Sequence, residues 1–112
     1  FKKVKDTLPE KIILGDDLTV TNAERIRNVY EEGAINGVII KPNQVGTITE
    51  ACEAMWVADE LGLKTVVSHR SGETDDGFII HLAKAGNAYG LKIGAPTRER
   101  IFKFNEFTRI YN

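Results

Sequence analysis

Six side chains of this sequence could do chemistry together: Asp16, Lys41, His69, Arg70, Ser71 and Lys92. Most of them close short apolar runs. Ile12-Ile13-Leu14 leads through Gly15 to Asp16, Val38-Ile39-Ile40 leads to Lys41, and Val66-Val67 leads through Ser68 to His69. Lys92 stands inside a shorter run, "LKIGAP". A carboxylate is a hard oxygen donor that suits a small cation. A lysine behind an apolar strand must find a partner or lose its charge, and a neutral lysine is a base. Arg70 and Ser71, with Gly72 loosening the backbone, form the kind of donor cluster that takes an anion. The set suits an anionic substrate whose phosphate goes to Arg70 and Ser71, with a lysine abstracting a proton beside a carboxylate. No Ser-His-Asp order for acyl transfer is apparent, and one metal-type carboxylate does not complete a two-metal cage.

Each residue also has a plainer reading. Asp16 and Asp17 could serve a turn and a helix cap. Lys41, followed by Pro42-Asn43-Gln44, could snorkel at a strand edge. His69 on its own would be a satisfied core histidine, and Lys92 a surface strand residue. His81 falls within a helical pattern and reads as structural or exposed. Met55 and Trp56 read as helix packing residues. Cys52 reads as a small core hydrophobe rather than a nucleophile, because no strand end presents it.

The elements that would bring these residues together alternate along the chain. "TNAERIRNVYEEG" places Ala23, Ile26, Val29 and Tyr30 at helical spacing, with Thr21 and Glu24 as a capping box and Gly33 as the stop. "TITEACEAMWVADELG" repeats the design with Thr47, Glu50 and Gly62. Asp75 or Asp76 can cap "GFIIHLAKAG", and Thr97 can cap "RERIFKFNEFTRIY", where Ile101, Phe104, Thr108 and Tyr111 share a face. Residues 1–8 read as the tail of an earlier helix. Apolar runs between helices are strands of a parallel sheet, buried on both faces. A doubly wound open sheet and part of a (β/α)8 barrel both fit. The first run ends in Asp16-Asp17-Leu18 rather than a glycine loop, which favours the barrel. A complete barrel takes about 250 residues, so 112 residues supply about half of one. In a parallel sheet all strand C-termini share one rim, and barrel enzymes place their active sites there.

Composition narrows the partners. Fifteen basic against 16 acidic residues leave a net charge of -1, which argues against a nucleic-acid surface. No apolar run approaches the roughly 18 residues of a membrane span, and the opening residues do not read as a signal peptide. Cys52 is the single cysteine, which excludes an internal disulfide and fits a reducing cytoplasm.

"GDDLTVTN", "IIKPNQVGTITE", "VVSHRSGETDD" and "LKIGAP", in that order, resemble the C-terminal half of enolase, the glycolytic phosphopyruvate hydratase. The likeness covers essentially the whole chain. Pro42 stands where the family commonly has an aliphatic residue, and Ile93 stands for a threonine. "TRER" at 97–100 departs from the longer arginine-serine pattern. The resemblance implies one partial domain over residues 1–112: the last four βα units of an enolase-type (β/α)8 barrel. It also implies magnesium-dependent dehydration of 2-phosphoglycerate to phosphoenolpyruvate. Lys41 would be the base, favoured in its neutral form by the like charges of Lys92 and the metal. Lys92 and the metal would steady the charge that gathers on the substrate carboxylate. Asp16 would be a magnesium ligand, Arg70 and Ser71 would hold the phosphate, and His69 would line the substrate pocket. The family's general acid and its other metal carboxylates are not in this sequence, so the chain alone is expected to be inactive.

Two functional classes remain open: a portion or subunit of an enolase, and a non-catalytic half-barrel that binds phosphorylated ligands or proteins. Half a barrel would have two open edges, around Ile13 and Ile93, and inner-face residues such as Val38, Ile40 and Val67 facing water. A homo-oligomer, or a complex with a complementary N-terminal enolase half, is therefore expected.

Overall fold

The computed structural model describes residues 1–69, 78–94 and 99–111. In chain order it contains α1 (Lys2–Thr7), β1 (Leu14–Gly15), α2 (Ala23–Glu31), β2 (Gly37–Ile40), α3 (Ile48–Glu60), β3 (Lys64–Ser68), α4 (Phe78–Ala85), β4 (Gly90–Lys92) and α5 (Glu99–Tyr111), with one 3-10 turn at Pro42–Gln44. The strands form one sheet in the order β1-β2-β3-β4. Every pair is parallel, with Gly15 opposite Val38, Ile40 opposite Val67, and Ser68 opposite Lys92. This order decides between the two architectures left open by the sequence. A doubly wound sheet reverses its strand order at a switch point and carries helices on both faces. Here the order runs on without reversal, so right-handed crossovers put successive helices on the same face. Four βα units side by side are an α/β half-barrel.

Local chemistry explains the helix ends. In α3 the Thr47 hydroxyl accepts from Glu50 N at 3.1 Å as an N-cap and donates to Glu50 Oε1 at 3.1 Å. The Glu50 carboxylate thus meets the hydroxyl where a full capping box would have it meet the Thr47 N–H. Gly33 and Gly62 end α2 and α3 in left-handed conformation, at φ 70° and 72°. The start of α2 differs from expectation. Its cap is Asn22, whose side chain accepts from Arg25 N at 3.0 Å, and Thr21 is left for another task.

The core lies between helices and sheet. Ile26 and Val29 of α2, Ala54, Met55 and Ala58 of α3, and Ile79, Ile80 and Ala83 of α4 pack together with Val38, Ile40 and Val67. Those three strand residues are fully buried, which corrects the expectation that they face water. Side chains alternate along a strand, and it is Ile39 and Val66 that sit half-buried on the opposite face. Two helix residues also depart from expectation. Cys52 is exposed, and so is Trp56, which with Met55 spans the helix boundary between solvent and core. Each fully buried aliphatic side chain contributes about 1.5–3 kcal/mol, so this single layer of contacts carries most of the fold.

The tightest point in the sheet is Gly37. A Cβ there would lie 2.6 Å from Leu14 Cδ2 and 2.9 Å from the Lys64 carbonyl oxygen. Backbone cannot yield as a flexible side chain can. Gly37→Ala is expected to lower the unfolding free energy by about 1–3 kcal/mol. Gly46→Ala, where the nearest atom is 3.7 Å away, should cost less than half as much; equal midpoints in urea for the two variants would contradict this packing.

At the other end of the chain, α5 is held to α4 by polar contacts. Glu106 accepts from Arg109 Nε at 2.8 Å and Nη2 at 3.0 Å, and lies 3.0 Å from His81 Nε2. Lys84 Nζ donates to the Ile110 carbonyl at 2.5 Å. The hydrogen bonds from Arg109, then from His81, hold the Glu106 carboxyl down at about 2 from an ordinary 4.5. A carboxyl lowered in this way stabilises the folded chain above about pH 4.5, and that contribution is lost as pH falls through about 2. Glu106→Gln should therefore melt below the parent at neutral pH and converge with it towards pH 2. Thermal melts across that window give the comparison, and a gap that persists unchanged into acid would refute it.

Candidate functional site

All four strand-end groups sit at the C-terminal rim of the sheet. Asp16 follows β1, Lys41 follows β2, His69 follows β3, and Lys92 is the last residue of β4. The parallel ladder makes this convergence obligatory, since each strand delivers its next residue to the same edge.

Asp16 opens a tight turn. Its carbonyl accepts from Thr19 N at 3.1 Å and from Val20 N at 2.8 Å. Thr19, fully buried, adds hydroxyl bonds to the Gly15 and Asp16 carbonyls at 3.1 and 3.3 Å. The backbone of Asp16 is thus fixed, and its carboxylate meets the ammonium of Lys41. Nζ lies 2.7 Å from Oδ1 and donates to Oδ2 at 2.8 Å. The side chains are only 33% and 16% exposed, so water screens the pair incompletely. Oδ1 is buried and, despite its closeness to Nζ, makes no properly angled hydrogen bond.

His69 and Lys92 form the second pairing. The His69 N–H donates to the Lys92 carbonyl at 3.0 Å, and Nδ1 lies 3.0 Å from the same oxygen. A carbonyl can only accept, so Nδ1 carries the proton and Nε2 of the neutral ring keeps its lone pair. Ser68, buried beside it, donates to the His69 carbonyl at 2.9 Å. Lys92 is exposed and lines an open cleft of about 460 Å³ with Leu91, Ile93, Gly94, Phe104 and Phe107. Arg70 and Ser71, expected to take an anion, lie outside the described residues. Asp75, Asp76 and Thr97, expected as helix caps, lie outside them too. A second cavity of about 400 Å³, lined by Met55, Asp59, Lys64 and Tyr89 among others, is at the opposite end of β3 and includes none of the rim residues.

Sequence reading missed Thr21 and Gln44. Thr21 is fully buried; it accepts from the Lys41 N–H at 2.9 Å and donates to Gln44 Oε1 at 2.7 Å. The signal was the doublet Thr21-Asn22. Two good caps stand side by side where a helix needs one.

An oxygen-loving cation would find one donor here. Asp16 Oδ1, buried and 2.7 Å from the Lys41 ammonium, is a hard oxygen donor of the kind that suits magnesium. Among the described residues no group of three or more His, Cys, Asp or Glu side chains could hold a metal. The fit is that of a single ligand, and a cation would compete with the Lys41 ammonium for it.

Comparison with known proteins places these residues in context. The whole chain, residues 1–112, matches the family model described as enolase, C-terminal TIM barrel domain. It is 48% identical to an enolase of Picrophilus torridus over 98% of this chain and 28% of that protein. With an enolase of Natranaerobius thermophilus it shares 47% over 98% of this chain and 26% of the relative. With that of Aeropyrum pernix it shares 48% over the full chain and 26% of the relative. The chain thus spans about a quarter of the length of these curated relatives.

Because the Asp16–Lys41 pair is partly desolvated, it should exceed the 0–1 kcal/mol of a surface ion pair. Lys41→Met, which strips the carboxylate of its cation, is expected to cost about 1–3 kcal/mol. In a cycle with Asp16→Asn, the double variant should be less destabilised than the two single losses summed, by about 1 kcal/mol or more. Additive losses in denaturant titrations would mean that the two side chains do not support each other.

Proposed function

Since the chain belongs to the enolase family, we propose that it is part of an enolase, a cytoplasmic lyase that removes water from 2-phosphoglycerate to give phosphoenolpyruvate. The observation that carries this reading is the Asp16–Lys41 pair at the C-terminal rim, a lysine and a carboxylate 2.7 Å apart at the ends of neighbouring strands. In this reading Lys41 takes the proton from the carbon beside the substrate carboxylate. The hydrogen is weakly acidic, and removing it drives negative charge onto that carboxylate. Lys92, on the same rim, is the fixed positive charge that opposes it. Arg70 and Ser71 hold the phosphate and His69 lines the pocket, its Nδ1–H engaged with the Lys92 carbonyl and its Nε2 available to substrate. Asp16 would contribute one oxygen to magnesium, and the bound ion would add further charge stabilisation.

Such a rim is incomplete as a catalyst. One carboxylate does not make a near-octahedral magnesium site, and in this reading the remaining ligands and the general acid come from a complementary N-terminal part. Residues 1–112 would be one partial domain, working with that part or in a homo-oligomer. A second reading, a non-catalytic half-barrel that takes phosphorylated ligands or proteins, is favoured by the open cleft of about 460 Å³ where Lys92 meets Phe104 and Phe107.

Formation of phosphoenolpyruvate from 2-phosphoglycerate, followed by absorbance in excess magnesium, separates the two. The chain alone should be inactive, and adding the missing portion of an enolase should restore turnover. Lys41→Ala in the restored complex should lose at least about 10²-fold, the usual share of general-base catalysis. Turnover by the chain alone within about tenfold of a complete enolase would overturn the division of labour, and a Lys41→Ala complex of undiminished rate would overturn the assignment of the base.

A further inference from the structure

Val20 and Thr21 are consecutive β-branched residues with φ of 42° and 53°. L side chains avoid this left-handed region, and branching at Cβ makes it worse. Strained backbone persists where surrounding contacts over-determine it, and such places concentrate at functional sites. Here the contacts can be named. The Val20 N–H is tied back to the Asp16 carbonyl at 2.8 Å, and the Asn22 N–H to the Thr19 carbonyl at 2.9 Å. The strained step turns Thr21 inward, where its side chain is fully buried rather than capping α2.

We propose that Thr21 is a positioning residue whose buried hydroxyl ties the loop carrying Asp16 to the backbone of Lys41, and so sets how the ammonium meets the carboxylate. The inference rests on the reading of Asp16 and Lys41 as the working pair. A hydroxyl has one proton, and that of Thr21 goes to Gln44 Oε1 at 2.7 Å. Its lone pairs are then turned to the Lys41 N–H, at 2.9 Å. Lys41 lies one residue beyond β2, so its N–H has left the ladder, and Thr21 supplies the acceptor. The Lys41 carbonyl is held as well, by Gln44 N at 2.9 Å. Both backbone groups of Lys41 are thereby fixed by two residues that touch each other. What remains free is the side chain, and Asp16, on the same loop as Thr21, receives it. Loop and lysine form one closed unit: Asp16 to Thr21 by backbone, Thr21 to Lys41 by hydrogen bond, Lys41 to Asp16 by ion pair.

Competitive amine acylation of the full chain, quantified lysine by lysine, tests this without any assay of dehydration. Lys41 is 16% exposed and paired. Lys103 is 1% exposed and reports any general opening, while exposed Lys2 reports reagent. Asp16→Asn calibrates the rise seen when the pair is broken. Thr21→Val keeps shape and loses the hydroxyl; it should raise Lys41 labelling roughly fivefold, the factor carried by one hydrogen bond, with Lys103 unchanged. Thr21→Ser restores the hydroxyl and should return Lys41 to its parent rate. Should Thr21→Val fail to fold, Gln44→Leu probes the same link from the half-buried side and should raise Lys41 selectively. A Lys41 rate unchanged in the folded variant, or Lys41 and Lys103 rising together in both the valine and the serine forms, overturns the proposal. Failure of the enolase reading would appear separately, as a restored complex without turnover but with the labelling pattern intact.

Discussion

A parallel ladder has to be covered, and that constraint organises the rest of this chain. Strands that all run one way need a crossover between each pair, and the crossovers become the cover. With the order β1-β2-β3-β4 the helices accumulate on one face. Val38, Ile40 and Val67 disappear beneath them, and the residues that follow each strand emerge at one edge. Burial and the placement of chemistry are two results of the same geometry. A register slip of one residue in β2 would expose Val38 and Ile40, and would also turn the root of Lys41 away from Asp16.

How much of this the sequence reveals depends on the range of the interaction. The Thr47 cap on Glu50 N was legible because both partners lie within one helical turn. The left-handed glycines at 33 and 62 were legible because few other residues tolerate that conformation. Strand ends were legible as apolar runs closing on a charge, which is why Asp16, Lys41, His69 and Lys92 group together in the sequence alone. The resemblance to enolase rested on the same stretches, and the family match agrees with it.

Three readings failed for one reason. Which strand face the helices cover, whether Cys52 and Trp56 point inward, and which of Thr21 and Asn22 caps α2 are all decided by groups distant in sequence. Two alternating faces of a strand such as "GVII" are equally apolar, so its pattern carries no label for inside. Thr21 is the sharpest example. Local rules make it a cap, but its hydroxyl is claimed by Lys41 and Gln44, 20 and 23 residues away. A long-range bond from a buried hydroxyl outweighed a local one that Asn22 could supply as well.

Charge completes the account of the rim. Taken over the whole chain, acids exceed bases by one. Among the described residues that follow the strands, Lys41 and Lys92 stand with Asp16 and its neighbour Asp17. On the helices acids sit beside bases, as with Glu60 beside Arg27 and Glu106 beside Arg109. Asp16 neutralises Lys41, and Lys92 lies exposed on an open cleft. The ion pair therefore steadies the Lys41 side chain at its strand end, while Lys92, exposed, is fixed through its backbone carbonyl by the bond from the His69 N–H.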